Sequence, residues 1–511
     1  MTVMPAGGPA FEGSAAAGRH GPVLSLCGGW VAMSRREHDF LGEMEIDDSV
    51  YYGIQTIRGI AMSDVDPATL ERDAPELARA MVTIKKAAAL ANSSLGALDA
   101  AVAKAVCGAC DEILGGTLKG QFPMRLLSGG GGVSIHMNVN EVIANRANEI
   151  LCGKKGYDLV HPNTHVNMGQ STNDVVPSAI HISLYWMLGP LVENLKTASE
   201  ILREKSIEFK DVVKLGRTCL QDAMPVTLGQ EFSGYADLIA RQAASVERVR
   251  RECLSLPLGA TAVGTGSGSV TGFGREVFAR LAELTGDDFR QDENLFDGLQ
   301  NGDIYIRVSS ALKAAAAGFS KIAADLRIMS SGPRGGFMEI TIPAVLPGSS
   351  IMPGKINPIL PELMKQIYFQ VFGCDAAVTL AAENGELDLN VWEAVIYKNL
   401  FEMIRLLTKG SLLFADKCLR GVAANREICF RHAENSTALA AIVSAVMGYE
   451  TGSRVAREAM EQNKSVLRVV IDSGLMKEDE ARKVLAPGNL VDSDVMAESI
   501  TLARKGLKQG G

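Results

Sequence analysis

Between Glu231 and Cys253 the chain reads EFSGYADLIARQAASVERVRREC, with apolar side chains at Phe232, Tyr235, Leu238, Ile239, Val246 and Val249. These positions form one stripe at the 3.6-residue period of a helix. A second stripe, Val308, Leu312, Phe319, Ile322, Leu326 and Met329, runs on for about six turns. The stretch from Pro177, PSAIHISLYWMLGPLVENLKTASEILREKSIEF, and much of 360–420 also read as long helices. Their polar faces are thin, and an alanine-rich helix that is apolar nearly all round is buried between other helices. The pattern predicts an all-α, mainly helical protein with a long central bundle shared between subunits. Strand signals are few: EITIPAVL at 339–346 and short pieces near the N-terminus.

Glycine-rich loops interrupt the helices at 128–132, 259–274 and 332–336, and no internal repeat stands out. The expected organisation is an N-terminal helical domain at 33–170, a central bundle domain at 171–427 and a small helical domain at 428–511. Residues 1–32 are small and polar, then briefly apolar, with only a weak cationic segment and no clean cleavage site, which makes a poor signal peptide. They read as a disordered extension, with Met33 as the expected start.

At 511 residues, 47% of them hydrophobic, the chain can bury a large core, and aromatics at 5% favour helices over a β-sandwich. A net charge of −8 with interleaved signs offers no concentrated basic patch for nucleic acid. No uncharged apolar run reaches the ~18 residues that cross a bilayer, so no membrane partner is expected. Nine cysteines in so long a chain fit a reducing compartment, and the expected location is the cytoplasm. Cys107 and Cys110 form a CxxC on a helical stretch, with no second pair or histidine beside it to hold zinc.

Three segments concentrate hydroxyl, amide and glycine residues next to long helices: Ser128–Ile150, His161–Ile182 and GSSIMPGKINPILPE at 348–362. Phosphate loops fit poorly. GSSIMPGKIN has a glycine–lysine pair, but isoleucine follows it, and GTGSGSVTG at 264–272 misses the dinucleotide spacing. The seven histidines form no HExxH or comparable pair, so neither a metal nor a cofactor is expected. What remains is a site that holds small carboxylates with hydroxyls, amides and a lysine. Ser171, Thr172 and Asn173, just ahead of Pro177, suit the first turn of a helix, where a cap and the helix dipole favour an anion.

These segments together resemble the signature regions of the aspartase/fumarase superfamily. GSSIMPGKINP is similar to its GSSxMPxKxNP motif; NMGQSTND, GRTCLQDAMPVTLGQEF, NVNEVIANRA and the opening REHDFLGEMEIDDSVYYGIQTIRG are similar to its other shared blocks. The resemblance runs from about residue 35 to about 495. It implies a mostly helical three-domain subunit and a homotetramer whose active sites are shared between subunits. It also implies a mechanism, in which a serine base takes a proton from the carbon beside a carboxylate and the leaving group departs from the neighbouring carbon. Carried over residue by residue, Ser349 is the base, and Ser350, Lys355 and Asn357 hold the substrate's other carboxylate. Backbone N–H groups or Lys355 would stabilise the serine alkoxide. Ser134, Ser171, Thr172 and Asn173 bind carboxylate and amine, Thr218 lies on the leaving-group side, and His161 with Asn163 resembles a secondary anion site. The glycines of SSGPRGGF would let the loop close.

The chain departs from the family pattern at three places. Cys219 stands where fumarases carry a histidine, although Glu362 is retained, so the acid–base partner for adding water is missing. Val133 and His136 replace the threonine and asparagine of GTSxN, and an imidazolium at His136 could supply the lost donor. LGATAVGTG at 258–266 resembles the ammonia-lyase branch. The expected activity is reversible anti-elimination of ammonia from L-aspartate to give fumarate. The alternatives are fumarate hydration, a lyase acting on a substituted aspartate, or an inactive structural relative.

Overall fold

The computed structural model describes residues 34–509, so the extension expected at 1–32 lies outside the described residues. Five long helices, Thr172–Glu208, Leu228–Glu252, Asp303–Met329, Ile359–Glu383 and Glu393–Lys417, carry the architecture. Each packs against the next, and the last returns to the first, closing a bundle. The Thr172 helix has 37 residues and is about 55 Å long.

Both stripes read from sequence lie inside: Phe232, Ile239 and Val246 on one helix, and Val308, Leu312, Phe319, Ile322 and Leu326 on another, are wholly buried. The region 360–420 is two helices broken at 384–392. The helix expected from Pro177 begins earlier, at Thr172, because Ser171 and Asp174 form a capping box in front of it. Pro177 and Pro190 sit within that helix, where each removes one backbone donor.

Among the described residues, strands are confined to four two-stranded sheets. Of EITIPAVL only Ile340–Thr341 pairs, antiparallel to Ala423–Ala424. The hairpin Val213–Thr218 / Gln221–Thr227 reverses direction at Cys219 (φ 54°) and Leu220 (φ 61°), both left-handed. Hairpin turns of this hand prefer Asn-Gly, so two side-chain-bearing residues hold a conformation costing of order 1 kcal/mol each.

Ahead of the bundle, Pro75–Ser94, Ala100–Leu114 and Val133–Cys152 pack together. The short helix Ile54–Met62 has no capping side chain of its own. Instead the buried Glu141 carboxylate accepts from the backbone N–H groups of Gly53, Gln55 and Thr56 and from the Thr56 hydroxyl, at 2.6–3.0 Å. That contact fixes the Ile54–Met62 helix onto the Val133 helix. A separate apolar cluster, including Leu439, Val443, Val455, Val466 and Val470, forms the core of the C-terminal helices.

The CxxC lies on a helix as expected. Burial pushes the Cys107 thiol up to about 11 and raises that of Cys110 well above its ordinary value, which disfavours the reactive thiolate at both. Among the described residues one helix, Thr172–Glu208, is long and apolar enough to cross a membrane, and 78% of that window is buried inside the protein.

Candidate active site

The sequence-predicted residues fall into three groups. Among the described residues, no hydrogen bond or ion pair of one chain links one group to another.

The first group is built on two helix N-termini. Ser171 is the N-cap of the Thr172 helix: its Oγ accepts from Asn173 N (3.2 Å), and its own N–H donates to Asp174 Oδ1 (2.9 Å). The other Asp174 oxygen accepts from Gly259 N (3.0 Å) and Thr261 N (2.9 Å), and Asn173 Nδ2 donates to Ala262 O (2.7 Å). The glycine-rich loop at 259–274 is thereby clamped to the helix start. Burial raises the Asp174 carboxyl to about 6 against the pull of its backbone donors and Lys85. Ser171, Thr172 and Asn173 are half-buried at the mouth of this construction.

His136 stands behind Thr172. Its Nδ1 lies 2.8 Å from Thr172 Oγ1 and its Nε2 lies 2.6 Å from the Lys85 amine, which also donates to Asn167 Oδ1 (2.8 Å). The ring is buried, and desolvation with the Lys85 charge beside it holds its pKa well below the ordinary histidine range. The imidazolium suggested by the sequence is therefore absent: the ring is neutral, and it faces Thr172, behind the site's open side. Ser134, half-buried, precedes it in the first turn of the same helix, while Val133 is exposed there.

The second group is the loop 348–357. Gly348 N–H donates to Lys355 O (2.8 Å), and Asn357 Nδ2 donates to Gly348 O (2.8 Å), so the loop closes on itself. Within it the Ser349 Oγ accepts from two backbone donors, Ile351 N (3.2 Å) and Met352 N (3.0 Å). Two N–H dipoles aimed at one hydroxyl oxygen favour its alkoxide, which is what a serine needs to act as a base. Asn357, assigned to the substrate carboxylate, spends one amide donor on holding the loop. Ser350 and Lys355 are exposed, and Lys355 forms no ion pair among the described residues. Ile351, Met352 and Ile356 also face solvent. Glu362 follows in the first turn of the next helix, 3.7 Å from Arg327.

The third group is the hairpin tip, which presents Thr218 and Cys219 outward beside an exposed Leu220. Its base is anchored by the fully buried Glu339, which meets Arg217 (2.8 Å), His432 (3.0 Å) and Lys214 (3.3 Å). Burial alone would favour the neutral acid, but Lys214, His432 and Arg217 together hold the Glu339 carboxyl below its ordinary value.

His161 belongs to none of these groups. It caps a π-helical turn, Pro162–Val166, and its Nδ1 accepts from Asn163 N (3.2 Å) and Thr164 N (3.3 Å). Burial, then His165 and His38, lower its pKa, so the ring is neutral with its proton on Nε2.

Sequence reasoning missed Lys85, Asn167 and Asp174. The signal for Lys85 was its place at helical spacing between Met81, Ala88 and Asn92, all buried. A lysine on that stripe must find partners inside.

A mainly helical bundle that carries a self-closed serine loop and a hydroxyl-rich helix start is matched by families of lyases. The family described as Lyase matches residues 42–373, and the one described as Fumarase C C-terminus matches 439–492. Aspartate ammonia-lyase from Bacillus sp is 44% identical over 454 residues, covering 89% of this chain and 96% of its own. Among solved structures, fumarate lyase:delta crystallin from Brucella melitensis superposes with a TM-score of 0.86 at 40% identity, covering 90% of this chain and 100% of that one. Class II fumarase from Schistosoma mansoni gives the same TM-score at 31% identity, over 90% and 99%. The chain belongs to the aspartase/fumarase superfamily and is a carbon–nitrogen lyase.

Proposed function

We propose that this chain is an aspartate ammonia-lyase, converting L-aspartate reversibly to fumarate and ammonia. The observation that carries the reading is the pair of backbone N–H groups on Ser349 Oγ. Ser349 as alkoxide takes the proton from the carbon beside one carboxylate. The electron pair moves into that carboxylate, giving a dianion, and returns to form the double bond as the C–N bond breaks and ammonia leaves. Ser134, Ser171, Thr172 and Asn173 hold that carboxylate as its charge grows, together with the amine, and Thr218 lies on the ammonia side. Lys355, Ser350 and Asn357 hold the substrate's other carboxylate.

Because these groups do not meet within one chain, the reading includes a homotetramer whose sites are completed by neighbouring subunits. Phe369, Phe372 and Leu380, each more than half exposed on one face of a bundle helix, supply an apolar surface for that assembly. The cysteines of the described residues are free thiols, which fits the cytoplasm. Hydration is disfavoured because the hairpin tip offers Cys219 in place of an imidazole.

The test follows fumarate absorbance with L-aspartate and, separately, L-malate. Fumarate from aspartate and none from malate is the expected result. Turnover of malate alone, or of neither substrate, would overturn the proposal.

A further inference from the structure

The line of contacts behind Thr172 has a direction. Asn167 Nδ2 donates to Gln170 O (3.2 Å), so its Oδ1 is the atom that faces Lys85. The Lys85 amine, wholly buried on the Pro75–Ser94 helix, therefore meets two acceptors, Asn167 Oδ1 and His136 Nε2. An amine donates to both whether or not it carries its third proton. With Nε2 accepting, the neutral imidazole carries its proton on Nδ1 and donates it to Thr172 Oγ1 at 2.8 Å. A hydroxyl that is already accepting there has its own proton left over, and no protein acceptor takes it among the described residues. Thr172 is half-buried at the mouth of the site, so that proton points to the open side.

We propose that Lys85 and His136 are positioning residues which fix Thr172 as a hydrogen-bond donor to the substrate carboxylate. This rests on the reading that Thr172 holds that carboxylate. It offsets the loss of a threonine at Val133: the Thr172 hydroxyl is held in one orientation, so less rotational freedom is lost on binding. His136 itself does not touch substrate.

The experiment measures kcat and KM for L-aspartate in His136→Leu, His136→Asn, Thr172→Val and the double variant Thr172→Val/His136→Leu, in the full-length protein. An asparagine amide nitrogen falls where imidazole Nδ1 stands, so it keeps the donor to Thr172 while losing Lys85. His136→Leu should raise KM about tenfold with kcat changed less than threefold, and His136→Asn should return KM to within about threefold of wild type. In the Thr172→Val background the leucine should add no further rise in KM, because its effect passes through the lost hydroxyl. Additive effects in the double variant, or an unchanged KM in His136→Leu, overturn the inference. An unchanged KM in Thr172→Val instead removes the assignment of Thr172 as a ligand. If the leucine variant does not fold, His136→Asn decides: a KM raised tenfold there sinks the proposal.

Discussion

The start of the Thr172 helix and the loop 348–357 both bear hydroxyls assigned to the same substrate, yet they are built in opposite ways. At the helix start, the key polar side chains lean on partners from other elements: Asp174 on the 259–261 backbone, Thr172 on His136, and His136 on Lys85. The loop leans chiefly on itself, through Gly348–Lys355, Asn357–Gly348 and the two donors to Ser349. It leaves Ser350, Lys355 and three apolar side chains in solvent. Binding groups need fixed positions before substrate arrives. A base that must be covered when water is excluded is better carried on a segment whose internal geometry survives movement. On the proposed reading, the contrast separates a helix start braced by its neighbours from a self-braced loop that carries the base and its own carboxylate ligands.

The largest effect should come from the loop. Ser349→Ala removes the group held by Ile351 N and Met352 N while leaving the helix start intact. We expect kcat to fall by at least about 10³-fold with KM changed less than about threefold, since the interaction lost operates in the transition state. Steady-state kinetics on L-aspartate checks this. Normal turnover would remove the proposed base.

The helix start should reveal itself in stability. Burial lowers the Lys85 pKa to about 7, despite the opposing pull of Asp174, against 10.5 as its ordinary value. Between those two values the unfolded chain binds a proton that the folded chain does not, so this group's contribution makes stability rise with pH. The slope approaches about 1.4 kcal/mol per pH unit for one proton. Thermal unfolding of wild type and Lys85→Met, compared from about pH 7.5 to 8.5, should show wild type gaining on the variant as pH increases. Asp174, raised to about 6, titrates below that range. Parallel curves would mean that Lys85 is not desolvated as described.

Much of the molecule was legible beforehand, for identifiable reasons. The long helices announced themselves because Phe232 to Val249 and Val308 to Met329 keep helical period over many turns, and the chain's place in the lyase superfamily followed from ordered motifs. Ser171 as a cap was legible because capping is local chemistry. Lys85, by contrast, lies 51 residues from His136 and 82 from Asn167. A pairing of that range is decided by how two helices and the turn after Val166 pack, which no local pattern encodes. The neutrality of His136 was hidden for the same reason, because it depends on burial and on a charge brought from another helix. The apolar stretch was read from Pro177, and the capping box carries the helix back to Thr172, where the hydroxyls had suggested a first turn.

The smallest effect tests whether the loop's closure matters apart from its serine. Gly348 has an ordinary backbone conformation, so its lack of a side chain serves close approach. A Cβ there would lie 2.7 Å from Asn357 N and 2.8 Å from Lys355 O. Gly348→Ala must therefore push apart the two strands of the loop that Gly348 N–H and Asn357 Nδ2 tie together. The surrounding residues are exposed, so the loop can yield without unfolding the bundle, and Tm should stay within about 2 °C of wild type. The geometry at Ser349 should suffer: the next residue's Oγ shifts relative to Ile351 N and Met352 N, and a displacement of a few tenths of an ångström weakens both hydrogen bonds. We expect kcat to fall about tenfold with little change in KM, the pattern of a base held slightly out of place. A rise in KM with kcat preserved would assign the closure to carboxylate binding through Lys355 and Asn357. Unchanged kinetics would show that the loop adopts its working geometry only against a neighbouring subunit.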